Sequence, residues 1–166
     1  LEACRQAATW QGLRVSVNLS AVQFHRGNLE ESVALALEAS GLDPALLELE
    51  LTESMLLEDS ERFMQRLQNL KGLGVQLAID DFGTGYSSLS YLKGLPSAVL
   101  KIDRAFVTKI DADEQDHLFL ESIIRMVKSR RKKVLVEGVE TEAQVRLLRA
   151  MGCDLMQGYY FSRPVS

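Results

Sequence analysis

Apolar and polar residues alternate in short runs along this chain, and stretches of helical periodicity fall between those runs. Period-two alternation predicts strands over 14–19, 46–51, 75–80, 99–102, 134–137 and 155–160. Helical spacing predicts a helix over 29–39, with Asn28 as its N-cap and Gly41 as its stop. A second follows Ser60, with Phe63, Leu67 and Leu70 on one face and Gly72 and Gly74 ending it. A short third covers 87–93. A fourth covers 115–132, with Leu120, Ile123, Ile124 and Val127 in step. Thr141 and Gln144 form a capping-box pattern ahead of a fifth, which Gly152 stops. The opening residues are also helical in character, and Trp10 reads as core there. Strands followed by helices imply a mostly parallel sheet and an α/β fold.

Strand parity then picks out candidate chemistry. Val15, Val17 and Leu19 share one face, so Asn18 points the other way. Leu47, Leu49 and Leu51 oppose Glu48 and Glu50. Val75, Leu77 and Ile79 oppose Asp80. Lys101 opposes Leu100 and Ile102, and Glu137 opposes Val134 and Val136. Gln157 shares its face with Leu155, beside Gly158. Strands often end on polar residues simply because they end at the surface, so one such position means little. Six together, with Asp81 adding a fourth carboxylate, point to a shared site. A (β/α)8 barrel draws its catalytic groups from the C-terminal ends of several strands. An open doubly wound sheet would bring a glycine-rich phosphate turn after its first strand. Ser20, Ala21, Val22 and Gln23 stand there instead. The pattern favours a TIM-like (β/α)8 barrel, incomplete, with about six strand–helix units.

Composition narrows the function. The 166 residues suit about one domain, and 46% apolar with 25% charged residues is ordinary for a soluble globular chain. The net charge of −4 argues against bulk electrostatic binding to DNA. No run of 18 apolar residues and no signal-peptide pattern occurs. Cys4 and Cys153 match no zinc or redox spacing and read as buried thiols of a reducing compartment, the cytoplasm. The chain opens mid-helix without a Met and reads as part of a longer protein, whose upstream segments could anchor it to a membrane.

Three or four carboxylates in one concave site repel each other, and divalent cations remove that cost. Oxygen donors with an Asn amide among them suit Mg²⁺ or Mn²⁺ better than zinc. Adjacent Asp80 and Asp81 can hold two ions if one carboxylate bridges. Two such ions about 3.5–4 Å apart are a common device for cleaving a phosphodiester. A lysine at a strand end can orient the attacking water or neutralise developing charge. It could instead form a Schiff base, but the crowd of carboxylates weighs against that.

These residues carry a resemblance. The segments Val17-Asn18-Leu19-Ser20-Ala21, Glu50-Leu51-Thr52-Glu53-Ser54, Asp80-Asp81-Phe82-Gly83-Thr84-Gly85, Leu100-Lys101-Ile102-Asp103-Arg104, Glu137-Gly138-Val139-Glu140-Thr141 and Gln157-Gly158-Tyr159-Tyr160-Phe161 occur in this order across the whole chain. They resemble the EAL domain family, the cyclic di-GMP phosphodiesterases of bacterial signalling, with 1–166 as the C-terminal two-thirds of that domain. The resemblance implies metal-dependent opening of cyclic di-GMP to linear pGpG. It implies that Asn18, Glu50 and Asp80 ligate one metal, and that Asp80 and Asp81 hold a second with Glu137 close by. Lys101 would hold the catalytic water, and Gln157 would support the site near the substrate. Glu53 would anchor the loop over 82–88, in which Gly83, Thr84 and Gly85 lie. That loop couples the metal site to homodimerisation in the family. Gly83 and Gly85 then serve mobility, or simply the turn. An upstream sensory or GGDEF-type domain is a further implied partner.

The departures set the remaining expectations. The Glu-Ala-Leu tripeptide, whose glutamate supplies a further metal ligand, is absent and is expected upstream of Leu1. A barrel of about 250 residues would need roughly 80 more, worth two strands and their helices. A six-strand piece taken alone would have sticky open edges, and it is expected to be nearly inactive and to associate or swap. Val136 replaces the usual alanine, a mild change. A non-catalytic cyclic di-GMP receptor or dimerising scaffold is the alternative. The intact Glu50, Asp80, Asp81, Lys101 and Glu137 favour the enzyme. The basic run over 128–133 reads as a solvated helix end. His25 and His117 read as surface or capping residues, and Glu48 as one half of a structural ion pair.

Overall fold

The computed structural model describes residues 1–166 except 11, 26, 58–60, 84–93, 97–98 and 165–166. The helix expected over 87–93 lies outside the described residues. Strands and helices alternate as the periodicity predicts, with one short helix over 21–25 that it does not. The order is α1 (Glu2–Ala8), β1 (Val15–Leu19), α2 (Ala21–His25), α3 (Leu29–Ser40), β2 (Leu47–Thr52), α4 (Glu61–Gly72), β3 (Gln76–Phe82), β4 (Val99–Ile102), α5 (Glu114–Ser129), β5 (Lys133–Val136), α6 (Glu142–Ala150) and β6 (Leu155–Met156). The chain divides into two compact units. The first holds residues 1–79 and 87–98, and the second holds 80–86 and 99–166.

In the first unit β1 and β2 are parallel, with Val17 opposite Leu49 and Asn18 opposite Glu50. Leu47, Leu49 and Leu51 are almost fully buried, as their shared parity requires. Each such leucine contributes about 1.5–3 kcal/mol by leaving water. Val33 and Leu37 of α3 and Phe63, Leu67 and Leu70 of α4 are buried as well. Phe24 of α2 is buried, 4.7 Å from the Phe63 ring, with the Arg66 guanidinium 5.2 Å above it. Glu48 accepts from Ser16 Oγ at 3.0 Å and pairs with Arg14 at 3.3 Å, the structural ion pair its parity suggested. Asn28 makes no side-chain cap, and the N-terminus of α3 starts without one.

In the second unit β4, β5 and β6 are parallel neighbours. Leu120, Ile123, Ile124 and Val127 form the buried stripe of α5, and Asp113 caps it by accepting from the Gln115 and Asp116 N–H groups. The capping box of Thr141 and Gln144 is present. Gln144 also donates to the Val107 carbonyl at 3.3 Å, which satisfies its buried amide.

Three further expectations change. Trp10 lies beyond α1 and is 42% exposed, because α1 ends at Ala8. The helix expected to Lys132 stops at Ser129, where Arg131 turns left-handed (φ 57°) and Lys133 opens β5. The basic run therefore straddles a turn. The strand expected over 155–160 is only Leu155–Met156. After it, Phe161 N–H donates back to Gly158 and Tyr160 N–H donates to Val139, which curls the chain. Cys4 is buried and Cys153 half-buried, and both are free thiols. Burial pushes Cys153 up to about 11.

Candidate functional site at the strand ends

Each unit carries candidate residues at the C-terminal ends of its strands. In the first unit Asn18 and Glu50 are register partners on adjacent parallel strands. Parallel neighbours lie about 4.8 Å apart, and residues in register point to the same face. The Asn18 amide and the buried Glu50 carboxylate therefore stand side by side. Glu53 opens the 3₁₀ turn after β2 and is 3% exposed.

In the second unit the C-terminal end of β3 supplies Asp80 and Asp81. Asp80 is half-buried and Asp81 exposed. Asp81 adopts a left-handed backbone (φ 54°), and its N–H donates to Asp80 Oδ1 at 3.1 Å. Gly83 continues the turn at φ 96°. Lys101 on β4 is buried, with Nζ 2.7 Å from Glu137 Oε1 and 3.3 Å from Asp80 Oδ1. One ammonium thus joins two of the carboxylates singled out by parity.

Backbone bonds hold this geometry past the ends of the strands. Glu137 N–H donates to the Ile102 carbonyl, and Gln157 N–H donates to the Val136 carbonyl. Val139 N–H then donates to the Gln157 carbonyl. Gly158 is required here by close approach. A Cβ on it would lie 2.2 Å from the Val139 carbonyl oxygen. Gly138 is required twice over, by φ 71° and by a Cβ that would fall 2.2 Å from Arg104 Cβ. Glu137 and Gln157 share a cavity of about 210 Å³ with Arg104, Glu140 and Tyr159.

The structure therefore brings Asn18 beside Glu50, joins Asp80, Lys101 and Glu137, and puts Gln157 on the Glu137 cavity. Thr84 and Gly85 lie outside the described residues. Among the described residues no three of His, Cys, Asp and Glu form a group that could hold a metal ion. The donor chemistry still suits a hard cation, because Asn18, Glu50, Asp80, Asp81 and Glu137 offer only oxygen. Parity missed Arg104 and Tyr159, which lie outside the strands. Both nevertheless fall in motif segments that carry the family resemblance, 100–104 and 157–161.

Comparison with known proteins adds a family. The EAL domain profile matches residues 1–164. The bifunctional diguanylate cyclase/cyclic di-GMP phosphodiesterase MucR of Pseudomonas aeruginosa is 43% identical over 169 residues, covering 99% of this chain and 25% of its own length. The cyclic di-GMP phosphodiesterase NbdA of the same organism is 47% identical over 153 residues, covering 92% of this chain and 20% of its own length. The chain therefore spans about a quarter or less of these relatives. The PaMucR phosphodiesterase in its c-di-GMP complex superposes with a TM-score of 0.93 at 43% identity, over 99% of this chain and 68% of that one. The manganese/cy-diGMP complex of Klebsiella pneumoniae BlrP1 gives 0.87 at 31% identity, over 98% of this chain and 42% of that one. These neighbours bear out the expected α/β, TIM-like architecture, here with six strands among the described residues.

Proposed function

The chain belongs to the EAL domain family, and from that premise we propose that it carries the chemistry of a metal-dependent phosphodiesterase that opens cyclic di-GMP to linear pGpG. The observation that carries the reading is the Asp80–Lys101–Glu137 arrangement, with an ammonium fixed between two carboxylates. The names of MucR and NbdA support the substrate, and the manganese complex of BlrP1 supports a divalent ion.

In this reading Asn18 and Glu50 are metal ligands, as are Asp80, Asp81 and Glu137, and the ions are two Mg²⁺ or Mn²⁺. Such ions supply a more acidic bound water and charge neutralisation at phosphorus. The chain's own groups do the positioning. Lys101 presents its ammonium protons in a fixed direction, because Glu137 and Asp80 hold the group from two sides. It orients the attacking water and offsets negative charge as the phosphodiester is attacked. Gln157 supports the substrate side of the Glu137 cavity. In this reading Glu53, buried at the end of β2, is a supporting residue, as are Gly83, Thr84 and Gly85.

Homodimerisation belongs to the same proposal. The Phe106 ring lies where a Gly83 side chain would be, 2.9 Å from the position of its Cβ. Phe106 also packs on Phe119, which is 55% exposed. A partner covering Phe119 would press through Phe106 on the turn that follows Asp80 and Asp81. An upstream sensory or GGDEF-type domain completes the reading, supported by the bifunctional name of MucR and by the quarter of its length that this chain covers.

The test is incubation with cyclic di-GMP and Mg²⁺ or Mn²⁺, with the products separated by chromatography. The expected result is pGpG from a form of the domain long enough to close the barrel, lost on chelation and in Lys101→Ala, with little turnover by the six-strand piece taken alone. Binding without turnover would make the chain a receptor instead, and no binding would remove the substrate altogether.

A further inference from the structure

Arg104 stands over the cavity that holds Glu137 and Gln157. It begins the 3₁₀ turn that Asp103 caps, directly after β4. Its Cα and Cβ press on Gly138, the residue next to Glu137. A Cβ at Gly138 would meet Arg104 Cα at 3.2 Å and its Cβ at 2.2 Å. The glycine therefore lets the arginine backbone lie against the Glu137 segment. The same arginine also lines a second cavity of about 290 Å³, with Thr108, Glu140 and Gln144. Arg104, Gly138 and Glu140 thus line both cavities.

The charges around it are one-sided. Asp103, Glu137 and Glu140 line the Glu137 cavity, and Arg104 is the single cation among its lining residues. Lys101 is engaged by Asp80 and Glu137. Among the described residues no carboxylate pairs with the Arg104 guanidinium. The Asp103 carboxylate is turned to the Ala105 N–H at 2.8 Å. An anionic ligand entering this acidic cavity needs a cation, and a guanidinium is the group suited to the forked geometry of a phosphate.

We propose that Arg104 is a substrate-binding residue that anchors a phosphate group of the cyclic dinucleotide beside Glu137. This rests on the phosphodiester reading above and deepens it. The arginine holds substrate and takes no part in proton transfer. Losing it weakens binding while leaving the bond-breaking groups in place.

The experiment measures cyclic di-GMP binding by calorimetry with Ca²⁺ present, at several salt concentrations, for the protein and for Arg104→Met and Arg104→Lys. Methionine keeps the Cβ that packs on Gly138, so the melting temperature is expected to hold. The expected dissociation constant rises about tenfold in Arg104→Met, the worth of one charge-assisted hydrogen bond. Arg104→Lys recovers part of that loss, and the salt dependence of binding is shallower in Arg104→Met than in the parent. A purely packing role would move none of the salt dependence. Equal affinity and equal salt dependence in all three proteins would overturn the anchor and leave the phosphodiester reading standing. Absence of binding by the parent protein would overturn both.

Discussion

Lys101 Nζ lies 2.7 Å from Glu137 Oε1 and 3.3 Å from Asp80 Oδ1, and the lysine side chain is only 8% exposed. A buried ammonium with two carboxylate partners is held in place, whereas a surface lysine would sample many rotamers. Its position follows from register. Lys101 opposes Leu135 on β5, and the ladder then carries Glu137 past the end of that strand.

Replacing this lysine leaves Asp80 and Glu137 without their shared counter-charge. Lys101→Met is expected to lose about 2–3 kcal/mol of stability in urea unfolding, since breaking a buried pair strands its partner. Adding Glu137→Gln should restore part of the loss. In the hydrolysis assay, kcat is expected to fall about a hundredfold or more, with a much smaller change in KM. A variant with undiminished turnover would remove Lys101 from the chemistry.

Asp81 sits at φ 54°, a conformation that costs a residue with a side chain about 1 kcal/mol relative to glycine. Asp81→Gly should therefore raise the melting temperature by about 2–4 °C, while pGpG formation falls about a hundredfold or more. Higher stability with lower activity is the signature of strain kept for function. A drop in both would show that the Asp81 side chain stabilises the fold.

Gly158 has no room for a methyl group against the Val139 backbone. Gly158→Ala must push apart the segments that carry Glu137 and Gln157. Overpacking of this kind costs about 1–3 kcal/mol, and circular dichroism should show melting about 2–12 °C lower. Loss of activity at a temperature where the variant is still folded would show that the two segments must stay in contact for the site to work.

Arg66 grips Glu30 through Nε at 3.2 Å and Nη2 at 2.9 Å. The guanidinium holds the Glu30 carboxyl below its ordinary value of 4.5. A carboxyl lowered in the folded state stabilises in full above its unfolded value. That contribution is lost as pH falls through the folded value. Arg66→Met should cost about 0.5–1 kcal/mol at neutral pH, and the difference should narrow below about pH 4.5. A difference that persists unchanged in acid would assign the effect to the Arg66–Phe24 ring contact instead.

The sequence by itself determined the alternation of the main strands and helices, their buried faces and the parity of Asn18, Glu50, Asp80, Lys101 and Glu137. Those features are local, because a period of two or 3.6 residues is written in the side chains. Glu48 was legible for the same reason. The tertiary structure decided what depends on segments distant in the chain. It paired Lys101 with both Glu137 and Asp80, which are 36 and 21 residues away from it in sequence. It cut β6 to two residues, because the Val139 backbone takes up the hydrogen-bonding groups that a longer strand would use. It brought Arg104 to the Glu137 cavity through the missing side chain of Gly138. Periodicity along one segment carries no information about which backbone will approach it, so these contacts had to come from packing.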